Sequence, residues 1–336
     1  MSAKMTVRRA ETSLTGGEML RTPWWEIEAA CDGPTLMIIA AQHGNEVQGT
    51  EVIRRFAAVC ADRLVGGTAL LVPFGNILAI RHRRNSIKLG PEEKHTETHT
   101  RFNMNGQWPG HPDGNDIQRL AHSLYEALVV RATHVIDLHC WNKFWATATL
   151  ATDDGDGDSR AMGEAAGTRF TSWRPPAGPD SLPAQIRAAA YVNGAAVMAM
   201  EFAGQYCVYE REVQTGVRAM TNIAKVLGML DGEPEIPADS GIEPTEANTT
   251  LVEAPCRGLF VQEPGLQLED PIDAGQRLGH ILRDDDLCTV EITSPVGGWL
   301  WRFGRHQGAC DVSLPDQHPY AAPGDPLASV VSNHAS

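Results

Sequence analysis

The sequence predicts an α/β fold with a covered, mostly parallel sheet, followed by a small all-β domain. Three observations carry this. Short, continuously apolar runs recur between residues 36 and 202, the mark of strands buried on both faces of a helix-covered sheet. Between them lie segments whose apolar residues recur at helical spacing. After a linker rich in Pro, Glu, Asp and Gly, residues 231–248, only short β-like runs separated by Gly/Pro/Asp turns remain.

Taken in order, residues 36–41 (LMIIAA) read as a buried strand. Residues 51–64 read as a helix with Val52, Ile53, Phe56, Ala57 and Cys60 on one side, and 69–73 as a second strand. The polar stretch 81–114 lacks periodicity and reads as loop. Residues 115–131 are helical, since Ile117, Leu120, Ala121, Leu124 and Leu128 share a face. Residues 134–139 (HVIDLH) and 195–202 read as strands, and Val213, Val217, Met220, Ala224 and Leu227 mark a final helix. In the second part the β-like runs are 251–252, 258–262, 278–282, 289–293, 298–302 and 311–314, and the tail after Leu327 is expected to fray. The expected domains are 1–240 and 245–336.

At 336 residues the chain has room for about two domains. Its 28 Lys+Arg against 42 Asp+Glu leave a net charge of −14. That excludes a non-specific nucleic-acid binder, which needs a basic footprint, and docking on anionic lipid. The seven cysteines are widely spaced and form no C-x-x-C, as expected of reduced thiols in a cytoplasmic protein. No apolar h-region follows Lys4, Arg8 and Arg9, so no signal peptide is expected. The apolar stretch 35–41 is far shorter than the ~20 residues of a membrane span.

Chemistry concentrates at the ends of the predicted strands, where open α/β sheets bind their ligands. His43-Gly44-Asn45-Glu46 follows the first strand, and its H-x-x-E spacing at a strand-to-helix junction can set an imidazole and a carboxylate on one ion. His139 ends the third strand. Two His and one Glu plus a water make a standard catalytic zinc site, and His43, Glu46 and His139 have that composition. Glu201 lies late in another buried strand, where a carboxylate is costly unless paired or functional. Within reach of a metal water it would act as general base and then as acid to a leaving amine.

Other uses of these residues are weighed beside this one. His43 and Glu46 could mark a helix N-terminus, His139 a core histidine, and Glu201 a structural carboxylate paired with an Arg. Asp137 is either an outer partner of a zinc histidine or a polar strand end. Cys140 has no assigned general base and reads as a small buried thiol. His95-Thr96-Glu97-Thr98-His99 reads as solvated loop, with a substrate-side or second-metal role as its competitor.

Together, His43-Gly44-Asn45-Glu46, Asn76 with Ala79, Asn103-Met104-Asn105 before Trp108-Pro109-Gly110, Asp137-Leu138-His139 and Glu201 resemble the succinylglutamate desuccinylase/aspartoacylase family over about residues 30–230. The resemblance implies a zinc-carboxypeptidase-like mixed sheet flanked by helices, one Zn²⁺ per chain on His43, Glu46 and His139, and Glu201 as the catalytic carboxylate. It also implies an Arg that polarises the scissile carbonyl. The candidates are Arg81, Arg83 and Arg84, with register favouring Arg84 and with Arg101 kept as an alternative. Asn105, Arg83 and Arg101 are the expected substrate contacts. Where the family carries an Arg that grips a substrate carboxylate, this chain has Gly106. A glycine cannot replace a bidentate Arg contact, so the expected substrate is an N-acyl amide other than the usual acyl-aspartate or acyl-glutamate.

The expected function is therefore a zinc-dependent amide hydrolase acting on a small molecule, with a homo-oligomer left open. A zinc carboxypeptidase, an ester or deaminating hydrolase on the same site, and a non-catalytic binding module are the competing functions. Residues 268–276 and 291–298 form a pseudo-repeat resembling a biotinyl/lipoyl hammerhead, but residues 249–336 contain no Lys, which excludes a covalently loaded carrier.

Overall fold

The computed structural model describes residues 3–83, 103–155, 157–175, 185–305 and 318–332. Two compact units emerge. The first comprises Met1–Trp141 with Thr147–Gly241, and the second Asn142–Ala146 with Ile242–Ser336.

The first unit is built on an eight-stranded mixed sheet. Its strands are β1 (Lys4–Ser13), β2 (Met19–Glu28), β3 (Cys31–Ala40), β4 (Gly66–Val72), β5 (His134–Trp141), β6 (Ala148–Thr152), β7 (Phe170–Arg174) and β8 (Ala196–Ala203), in the order β1-β2-β4-β3-β5-β8-β6-β7. The central strands β4, β3, β5 and β8 are parallel. β6 runs antiparallel to β8, and the β1–β2 hairpin runs antiparallel to β4.

Helices cover both faces. Helix α1 (Gln48–Arg63), α4 (Asp158–Ala165) and α6 (Glu210–Val226) pack on Leu36, Ile38, Ile136, Leu138, Met198 and Met200. Helix α2 (Ile77–His82), α3 (Asp116–Ala127) and α5 (Ile186–Val192) pack on Met37, Ile39, Val72, Val135 and Val197. Alternate residues of each strand thus serve opposite faces, which is why these runs are apolar throughout. Helix α3 opens on a capping box. Asn115 Oδ1 accepts from the Ile117 and Gln118 amides at 3.0 Å, and Gln118 Oε1 accepts from the Asn115 amide at 3.0 Å.

Several elements depart from the sequence expectation. Within the stretch 81–114, expected as loop, α2 ends at His82 and a 3₁₀ turn forms over Met104–Gly106. Each is too short to display a period. The β1–β2 hairpin has no apolar run to announce it, because polar residues such as Thr22 and Glu26 point inward. Pro23 is tolerated in β2 because pairing with β4 begins only at Trp25.

Glu26 is buried and accepts from Arg131 Nη2 at 3.0 Å, with Arg8 at 3.9 Å. Burial pushes its carboxyl up, but Arg131, Trp24 and Arg8 outweigh that and hold it below the usual value. Arg131→Met should cost about 1–2 kcal/mol, discounted from a fully buried pair because Arg131 is 44% exposed. A lowered folded value means the contribution is present above the unfolded carboxyl range and is lost as pH falls through the folded value. Denaturant titrations should therefore show the gap between the two proteins closing below about pH 4.

The second unit has two antiparallel four-stranded sheets around Phe260, Leu278, Ile281, Leu300, Phe303, Leu327 and Val330. One contains β10 (Gly258–Gln262), β12 (Arg277–Leu282), β13 (Thr289–Thr293) and β15 (Tyr320–Ala321). The other contains β9 (Thr249–Glu253), β11 (Pro271–Ile272), β14 (Gly298–Phe303) and β16 (Pro326–Val331). As far as the described residues reach, to 332, the segment after Leu327 is not frayed: β16 lies between β14 and β9, with Val330 and Val331 fully buried. Its small residues, Ala328 and Ser329, hid it among turn signals. The predicted run 311–314 lies outside the described residues.

The second unit also takes in a segment from the middle of the first. Directly after β5 the chain contributes Asn142–Ala146 to it. There the Ala146 amide donates to Trp301 O and the Phe303 amide donates to Phe144 O, both at 2.9 Å. No helix among the described residues is long and apolar enough to cross a membrane.

Candidate metal centre

Three strand ends and one helix start meet at the site. β3 ends at Ala40, and Ala41, at φ +57°, turns the chain so that Gln42, His43 and Glu46 lie before α1. A non-glycine residue held in the left-handed region is a strained feature of the kind that clusters at functional sites. Gly49, in the first turn of α1, allows the helix to sit close over the strands. A Cβ there would stand 2.8 Å from Leu138 Cβ and 2.9 Å from Ala40 Cβ.

On β5, Asp137 and His139 are two apart and face the same side of the sheet. Glu201 pairs directly across from His139 on parallel β8, so its side chain emerges on that side too. The alternation of apolar residues before it, with Val197 on the α3/α5 face and Met198 and Met200 on the other, fixes that orientation.

His43, Glu46 and His139 are all buried and bring one donor atom each to within 4.8 Å of one another. The His43 and His139 ring centroids are 5.2 Å apart. His139 Nδ1 lies 2.9 Å from Glu46 Oε2, and its Nε2 lies 2.8 Å from Asp137 Oδ2. Nε2 is thus engaged by a carboxylate, leaving Nδ1 toward the other two candidate donors, the arrangement that supports a histidine able to bind a metal. Asp137 is held in turn: Gln42 Nε2 donates to its Oδ1 at 2.7 Å, and Trp108 Nε1 donates to Gln42 Oε1 at 2.7 Å. Glu46 accepts from the Cys140 amide at 3.1 Å and from Gln205 Nε2 at 3.4 Å. Two imidazoles and a carboxylate, dry and oriented, fit a zinc-type ion.

The electrostatics are those of crowded carboxylates. Burial, reinforced by the charges of Glu46 and Asp137 and opposed by His139 and Arg187, pushes Glu201 up to about 8. Burial pulls His139 down, but Asp137 and Glu46 outweigh it and hold the imidazole well above its ordinary value. Burial, with the charges of Glu46 and Glu201, pushes the Cys140 thiol well up, which makes it a poor nucleophile.

Of the remaining expected residues, Asn105 lies in the 3₁₀ turn with a sealed side-chain oxygen that has no partner among the described residues. Asn45 buries another such acceptor within H-G-N-E. Arg83 caps α2 and is exposed. Arg84, Arg101 and the 95–99 cluster lie outside the described residues. Three contributors escaped the sequence reading, among them Gln42, which stands beside the H-G-N-E motif and holds Asp137. Gln205 has no motif around it. Arg187, on α5, is buried and carries charge that acts on both Asp137 and Glu201. A charged residue inside an Ala-rich helical stretch was the available signal.

The pattern of the succinylglutamate desuccinylase/aspartoacylase catalytic domain matches residues 32–226, more than half of the chain. The chain belongs to this family. It is 23% identical over 259 residues to N-alpha-acetyl-L-2,4-diaminobutyric acid deacetylase of Halomonas elongata, covering 74% of this chain and 71% of that protein. Its fold is similar to the succinylglutamate desuccinylase/aspartoacylase of Rhodobacter sphaeroides, with TM-score 0.67, 20% identity, and 99% and 96% of the two chains covered. It is likewise similar to the product-bound ectoine utilization protein EutE of Ruegeria pomeroyi, with TM-score 0.68, 19% identity, and 99% and 96% covered. Membership places the matched strand ends, and so the buried triad, in the family's catalytic domain.

Proposed function

We propose that this family member is a zinc-dependent hydrolase that cleaves the amide bond of a small N-acyl compound in the cytoplasm. The observation that carries the proposal is the buried His43–Glu46–His139 set with Glu201 directly across from His139. The deacetylase relative from Halomonas supports it. His43, Glu46 and His139 would hold the ion. When bound, it supplies Lewis acidity, polarising the scissile carbonyl and lowering the pKa of water.

The chain's own groups handle the proton. Positive charge entering the triad draws the Glu201 carboxyl down from its raised value, so that it can act as a base. Its carboxylate takes a proton from the attacking water as the water oxygen bonds to the carbonyl carbon. As the C–N bond breaks, Glu201 returns that proton to the departing nitrogen. The products are a carboxylic acid and an amine. Arg187 offsets the charge of Asp137 and Glu201 through these steps.

Gly106 shapes the substrate class. A Cβ built there meets nothing within 4 Å, so the position is open and offers no cation. This supports an amine part other than aspartate or glutamate. Purified protein should hydrolyse members of a panel of N-acetyl, N-formyl and N-succinyl amides of neutral, basic and aromatic amines, and should lose that activity to a chelator. N-acetylaspartate or succinylglutamate as the best substrate would refute the substrate assignment. Gly106→Arg, whose Cβ would meet nothing within 4 Å, should raise relative kcat/KM for acyl-aspartate about tenfold.

A further inference from the structure

Arg302, in β14 of the second unit, carries a charge that no acid among the described residues answers. Its Cζ sits 3.4 Å from the centroid of the Trp145 ring, and Trp145 meets Trp301 edge-on at 5.6 Å. Its side chain makes no hydrogen bond or ion pair with any described residue. Nε is sealed from solvent without an acceptor, while the residue as a whole stays partly exposed. The reachable edge is therefore the pair of Nη groups. Three other arginines of this unit are answered, Arg277 by Glu263 at 2.9 Å, Arg283 by Asp285 at 2.6 Å and Arg305 by Asp325 at 3.3 Å, while Arg257 is exposed to solvent and so not buried as Arg302 is.

A half-buried cation without a counter-charge is costly, and stacking on an indole offsets only part of that cost. Burial alone pushes Arg302 down to about 10. The geometry is also held in advance. Trp145 and Arg302 form an isolated β-bridge, and the flanking Ala146–Trp301 and Phe144–Phe303 backbone bonds fix both sides. Phe144 packs where a Cβ on Gly304 would otherwise stand, so the segment cannot shift without losing that contact. A stacked, pre-positioned guanidinium with one open edge matches a planar, bidentate acceptor.

We propose that Arg302, stacked on Trp145, is a binding site for a small carboxylate. The chain's charge of −14 makes a diffuse attraction for anions an unsuitable explanation of such binding, so it would have to be local. The site is independent of the hydrolase reading and does not include the triad. Its segment nevertheless continues the metal-bearing strand, since Asn142 begins three residues after His139.

The test uses full-length protein, both zinc-loaded and chelator-treated. Acetate, succinate and inorganic phosphate are titrated at ionic strength held constant with sodium chloride, while tryptophan fluorescence is followed. A saturable change with a carboxylate is expected, equal with and without zinc and absent with chloride alone. Arg302→Met should weaken it about tenfold or more, and Arg302→Lys, which keeps the charge and a folded unit, should weaken it less. Trp145→Phe should remove most of the signal. A response that does not saturate, that survives both Arg302 variants, or that vanishes on zinc removal would overturn the proposal. Phosphate saturating at lower concentration than either carboxylate would overturn the carboxylate assignment.

Discussion

Glu201→Gln should retain the metal and lose turnover by about 10²–10⁴-fold, the usual contribution of a positioned general acid–base group. The change is nearly isosteric and removes only the ability to take up and return a proton. Because Glu201 stands across from His139 and is not one of the three converging donors, metal content should stay at one ion per chain. Metal analysis and steady-state kinetics on the same sample read both halves. Near-normal turnover with metal bound would take Glu201 out of the reaction. Loss of metal would move it into the ligand set.

The second large effect is expected from His139. Replacing it by Ala removes a donor and leaves Asp137 and Glu46 as buried carboxylates without the imidazole between them. Zinc content should fall below stoichiometric, activity should be lost, and the protein should be destabilised by about 3–5 kcal/mol. Asp137→Asn separates the two consequences. It keeps the donor but loses the carboxylate that orients it, so metal affinity should fall about 10–100-fold while the fold remains. Treating the unchanged protein with a chelator should lower its Tm, and zinc should restore it. Full metal occupancy in His139→Ala would exclude the triad as the site.

The central sheet and the triad were legible because each rests on a local signal. Continuous apolar runs mark β3, β4, β5 and β8, and H-x-x-E and D-L-H sit where those runs stop. Glu201 stood out as a charge inside an apolar strand. The edges of the sheet were not legible. β1 and β2 alternate weakly, and α2 is six residues long, so neither gives a period a reader can count. β16 was mistaken for a loose end because a terminal position and small residues look like fraying until the pairing with β14 and β9 is seen.

By itself, then, the sequence determined the α/β core, the all-β second part, and which residue types stand at the strand ends. Burial pattern and short-range spacing encode those things. Only the tertiary structure decided how these residues are wired. Trp108 to Gln42, Gln42 to Asp137, Asp137 to His139 and Gln205 to Glu46 are single hydrogen bonds, most of them between residues far apart in the chain. Arg187 reaches the site from a helix with no motif, and Arg302 meets Trp145 across more than 150 positions. Such contacts leave no periodic trace, since each depends on two side chains that the fold, and not their neighbours in sequence, brings together.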